Sequence, residues 1–120
     1  MKLNVDCIRD VMLYLEENLI PNESGLCMPI VPAEMASKLN DYTVNEIMFV
    51  VRHLSDDGFI TLGKHYIHEP IGRIIDITKY GYELITLIKP KSCWVKIKDK
   101  LSKIGVSDII ALYQIAASFA

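Results

Sequence analysis

The stretch from Thr43 to Ile60, Thr-Val-Asn-Glu-Ile-Met-Phe-Val-Val-Arg-His-Leu-Ser-Asp-Asp-Gly-Phe-Ile, constrains this chain more than any other. Val44, Ile47, Val51 and Leu54 stand at i, i+3, i+7 and i+10, which on a helix makes one apolar stripe facing a core. Gly58 falls where a helix C-terminus takes positive φ at no steric cost, and Phe59-Ile60 open an extended apolar run. Helix, glycine stop and strand therefore follow one another.

The flanking residues extend that order. Val5, Ile8, Val11, Met12 and Leu15 repeat at helical spacing, so a first helix is expected from about Val5 to Asn18. Pro21 to Gly25 is turn material, and Leu26 to Val31 suits a short strand. Pro32 fits the first position of a second helix, Ala33 to Leu39, because that position needs no N–H. Asn40-Asp41-Tyr42 turns the chain and Thr43 caps the third helix. After Gly58, Phe59 to Leu62 and Ile71 to Ile77 read as a hairpin whose connection, Gly63 to Pro70, exposes basic and aromatic side chains. Thr78 caps a helix from Lys79 to Lys89, with Gly81 allowing close backbone packing. Pro90 starts another helix, on which Trp94, Ile97, Leu101 and Ile104 oppose Lys96, Lys100 and Lys103. Gly105 ends it and Ser107 caps the last helix, Ile109 to Ala120. The succession predicts an α+β, mostly α fold: a winged helix-turn-helix with a β-hairpin wing and extra C-terminal helices. It predicts a single domain over 1–120, with the winged-helix core at 1–89 and a helical extension at 90–120.

Composition narrows the function classes. A hydrophobic share of 51% with 23% charged residues is that of a folded protein, which argues against disorder. The net charge of −2 hides a split. Residues 1–57 carry 4 basic and 10 acidic side chains, whereas 58–120 carry 9 and 5. A nucleic-acid binder usually shows a basic footprint, so the first half counts against tight phosphate binding and the second keeps it open. Cys7, Cys27 and Cys93 are an odd number without a Cys-x-x-Cys pair, which implies free thiols in a reducing compartment. The N-terminus lacks the apolar stretch of a signal peptide and no run spans a bilayer, so a cytoplasmic protein is expected, with no membrane partner.

The opening Met-Lys-Leu-Asn-Val-Asp-Cys-Ile-Arg-Asp-Val-Met-Leu-Tyr-Leu-Glu-Glu-Asn-Leu resembles a small family of phage and prophage proteins of uncharacterised function. The likeness continues through Asn45-Glu46-Ile47, Leu54 to Ile60, Ile77 to Leu84, the lysine helix from Trp94 to Gly105 and the final apolar helix. It departs at Val50, where the family would have a histidine. The resemblance implies a winged helix with C-terminal helical additions and a phage-related origin, but no activity. Leu54 to Ile60 followed by Ile77-Thr78-x-x-Gly is also similar to winged-helix transcription regulators.

Candidate site residues follow from these placements. On the third helix Asn45, Glu46, Phe49, Arg52, His53 and Asp56 are expected to face solvent. In a major groove Asn45 would read adenine, and Arg52 a guanine or phosphate. Thr43 and Phe49 would stand beside them, while Glu46, Asp56 and Asp57 repel phosphate. The wing offers Lys64, His65, Tyr66 and Arg73, a mixture suited to backbone or minor-groove contact and equally to a solvated hairpin tip. His65-x-x-His68 is no metal pair, because i and i+3 on a strand point to opposite faces. Lys89, Lys91, Lys96, Lys98, Lys100 and Lys103 form the strongest basic patch, more often a solvated face than a site.

No nucleophile has a motif-linked base and no glycine-rich phosphate loop occurs, so neither an enzyme nor a cofactor is expected. The last helix, apolar on more than one face through Ile109, Leu112, Tyr113 and Phe119, must close the core, pair in a homodimer or dock on a partner. The leading expectation is a phage-type regulator that binds double-stranded DNA. The alternative is a protein-interaction module that binds a host or phage protein on the same scaffold.

Overall fold

The computed structural model describes residues 2–104 and 108–119. Among them the chain is α+β and mostly helical, with one two-stranded antiparallel hairpin. The elements are α1 (Val5–Asn18), a 3-10 turn (Pro32–Ser37), α2 (Val44–Asp56), β1 (Ile60–Leu62), β2 (Ile74–Ile77), α3 (Lys79–Ile88), α4 (Lys91–Ile104) and α5 (Ile109–Ser118).

Caps set most of the helix boundaries. The Asn4 side chain accepts hydrogen bonds from the backbone N–H groups of Asp6 and Cys7 at 3.0 and 3.2 Å and so starts α1. Thr78 does the same for α3 through the N–H of Gly81 at 3.2 Å, while its hydroxyl donates to the carbonyl of Gly58 at 2.6 Å. Gly58 adopts φ of 83° at the end of α2, the left-handed conformation that favours glycine. Asp108 caps α5 through the N–H of Ala111 at 2.7 Å, the role expected of Ser107. Gly105, Ser107 and Ala120 lie outside the described residues.

Three expected elements differ. The strand from Leu26 to Val31 reduces to isolated bridges, Pro21 with Cys27 and Ile30 with Ile74. Pro32, two residues past Ile30 and so at the next ladder position, carries no N–H, and pairing does not continue there. The helix from Ala33 to Leu39 is a six-residue 3-10 turn over Pro32–Ser37 without a side-chain cap, because so short a segment cannot repay helix nucleation. The second hairpin strand begins at Ile74 rather than Ile71. Pairing runs Ile60 with Ile77, Thr61 with Asp76 and Leu62 with Ile74, and the irregularity after Thr61 ends the regular ladder early.

The core is continuous across all five helices. Cys7, Ile8, Val11, Met12 and Leu15 of α1 meet Ile47, Val50, Val51 and Leu54 of α2, whose buried stripe is therefore i, i+3, i+4 and i+7. Val44, expected in that stripe, is 47% exposed because it sits at the first helical position, beyond the edge of α1 packing. Val50 is buried instead. Leu84, Ile85 and Ile88 of α3, Trp94, Ile97 and Leu101 of α4, and Ile109, Leu112 and Ala116 of α5 complete the cluster. Of the three roles open to the last helix, closing the core accounts for Ile109 and Leu112, which are not surface residues. No described helix is long and apolar enough to cross a membrane.

Candidate functional site

The N-terminus of α2 is a capping box. Thr43 Oγ1 accepts from the N–H of Glu46 at 3.1 Å, and Glu46 Oε1 accepts from the N–H of Thr43 at 3.2 Å. Glu46 Oε2 also accepts from Asn4 Nδ2 at 3.3 Å, joining the starts of α1 and α2. The hydrogen bond from the Thr43 backbone, then that from Asn4, holds the Glu46 carboxyl below the usual carboxylate range. Thr43 and Glu46 are thus committed to the helix end. Asn45 and Arg52 are exposed on the outward face, and among the described residues neither makes a side-chain hydrogen bond nor, for Arg52, an ion pair. Phe49 and His53 pack edge to face with ring centroids 4.5 Å apart and are half-buried.

The hairpin gathers the other candidates. Lys64 Nζ lies 5.0 Å and Arg73 Cζ 4.5 Å from the Tyr66 ring centroid, a cation–aromatic–cation stack. Arg73 Nε donates to both Glu69 carboxylate oxygens at 3.1 and 3.2 Å, which raises the guanidinium pKa further and offsets part of its charge. The His65 imidazole Nε2 hydrogen-bonds the Glu69 carbonyl. Ile67, at the tip, is 92% exposed. Among the described residues no three His, Cys, Asp or Glu side chains come together to hold a metal.

Between α2 and the connection of the hairpin runs an open groove of about 590 Å³. Val44, Met48 and Phe49 form one wall, and Pro70 and Ile71 with Ala33 form the other. Asn45, Arg52, His53 and Asp56 are its polar lining. Of these, the sequence reading singled out the polar residues and Phe49. It missed the apolar wall, whose members come from three segments with no shared period. The available signal was Met48-Phe49, two large apolar residues beside the buried stripe.

A second cleft of about 610 Å³ lies between α1 and α4. Most of its charged groups already have partners. Asp6 accepts from Trp94 Nε1 at 3.2 Å and from Lys98 at 3.0 Å, Tyr42 donates to Asp10 at 2.6 Å, and Arg9 donates to the carbonyls of Ile88 and Lys89. The lysine patch is partly used in the same way. Lys98 pairs with Asp6, Lys89 with Glu16 at 2.8 Å and Lys103 with Asp99 at 3.0 Å. Cys7 is no nucleophile at neutral pH, because burial, with Glu46 and Asp10 adding to it, pushes its thiol up to about 12.

Residues 2–107 match a family described as a hypothetical protein (DUF2513). No curated protein and no solved structure matches the chain.

Proposed function

The chain belongs to the DUF2513 family, and from the geometry of α2 and the hairpin we propose that it binds double-stranded DNA as a winged helix, in a phage or prophage regulatory role. The order of elements supports the scaffold. An N-terminal helix, a bridging residue at Ile30 on the outer edge of β2, a short turn, a capped helix and a hairpin follow in sequence. One observation carries the reading. Asn45 and Arg52 are exposed on α2 and have no side-chain partner among the described residues, and the adjoining hairpin presents Lys64 and Arg73 stacked on Tyr66.

Each group then has a chemical task. Asn45 pairs with the N6 and N7 edge of adenine, and Arg52 with guanine or a phosphate. Lys64, His65, Tyr66 and Arg73 hold the flanking backbone. Glu46 repels phosphate less than its charge suggests, since its carboxylate is turned onto the helix N-terminus and Asn4. A homodimer would set two α2 helices on half-sites about one helical turn apart.

The test is retention from a pool of random duplexes at low and physiological salt, on protein whose molar mass is measured in the same run. Binding is expected to weaken steeply with salt, and a Lys64→Glu, Arg73→Glu double substitution is expected to abolish it while leaving the helical circular dichroism intact. Retention of no duplex at low salt, or salt-insensitive binding, overturns the proposal.

A further inference from the structure

We infer that the groove between α2 and the hairpin is a binding site for a small apolar carboxylate. Its volume of about 590 Å³ lies in the range of small-molecule sites. So does its make-up, a wall of aliphatic and aromatic groups with a few polar ones. Met48 and Phe49 are only half-buried and Val44 is exposed, so apolar surface there is left uncovered by the described residues.

Charge decides the ligand's head group. Among the described residues Arg52 is the one permanent cation lining the groove, and it makes no ion pair with any of them. A guanidinium binds a carboxylate through two parallel hydrogen bonds. Val44, Met48, Arg52 and Asp56 stand four residues apart on one row of α2. With the carboxylate on Arg52, the tail runs over Met48 towards Val44, about 12 Å along the helix, the reach of an extended medium chain. Asp56 lies one turn on the other side, so a tail laid in the reverse direction meets a carboxylate instead of apolar surface.

This inference stands without the DNA reading. If both hold, Arg52 is shared, and ligand and duplex exclude each other.

The experiment uses anilinonaphthalene sulfonate, an aromatic anion whose emission rises in apolar surroundings, with octanoate, octan-1-ol and octylammonium as competitors on the full chain. Octanoate is expected to displace the dye at about tenfold lower concentration than the other two, the worth of one charge-assisted pair. Arg52→Gln is expected to remove that preference, and Met48→Asp to remove dye binding altogether. Equal displacement by the three, or an unchanged preference in Arg52→Gln, overturns the site. So does a concentration-dependent molar mass that Met48→Asp abolishes, because a second copy would then fill the groove. Loss of duplex binding leaves these readings untouched.

Discussion

Gly81 shows how tightly single residues are held. It lies buried in the first turn of α3, where an added Cβ would overlap the Phe59 carbonyl oxygen and come within 2.6 Å of Ile77 Cγ2. One obstacle is backbone, so it cannot rotate away, and α3 would have to lift off the hairpin. Gly81→Ala is therefore expected to destabilise the fold by about 1–3 kcal/mol, the range for overpacking. Urea denaturation checks this, and a loss under about 0.5 kcal/mol would mean that α3 slides freely. That Gly81 allows close packing was readable from its place in a helix. Its neighbour Phe59 was not, since the contact spans 22 residues and depends on the hairpin's path. Gly58 was easier. Its positive φ follows from a local requirement at a helix end.

Among the elements, α2 was the most legible. Thr43, Gly58 and the helical period all act within a few residues, so the helix and its ends followed from local rules. Ile47, Val51 and Leu54 face inward as expected, while Val44 lies beyond the edge of α1 and Val50 is buried in its place. The groove beside α2 was hidden because its walls come from three separate segments. The capping box makes the helix pH-sensitive in a defined direction. The folded carboxyl of Glu46 titrates below its unfolded value, so its stabilisation is complete above the unfolded value, about 4.3, and is lost as pH falls through the folded one. Glu46→Gln keeps the hydrogen-bonding shape of the box but not the charge. The variant is expected to melt below the wild type at pH 7, with the gap narrowing as pH falls below the unfolded value. A gap that does not change with pH would show that shape, not ionisation, supplies the stabilisation.

For the whole molecule, the charge split between the two halves joins them. Asp6 and Glu16 of α1 pair with Lys98 and Lys89 at and beyond the end of α3, so part of what looked like a basic footprint is internal. Exposed pairs of this kind contribute about 0–1 kcal/mol each, so they orient the helices more than they hold them. Holding falls to the core, and α5 is its last component. Composition showed that this helix had to be covered, but coverage in cis or in trans is a question of chain path that no local pattern answers. Ile109 and Leu112 sit inside, the Tyr113 hydroxyl donates to Glu83 at 2.6 Å, and Phe119 is left at the surface under Lys100. Leu112→Asp places an unpaired carboxylate in an apolar interior and is expected to cost more than about 4 kcal/mol, abolishing cooperative unfolding. Phe119→Asp is expected to stay within about 0.5 kcal/mol of wild type. Thermal melts with light scattering separate the two cases. A Leu112→Asp chain that keeps its native spectrum and changes only its molar mass would put this face of α5 between subunits instead of inside one.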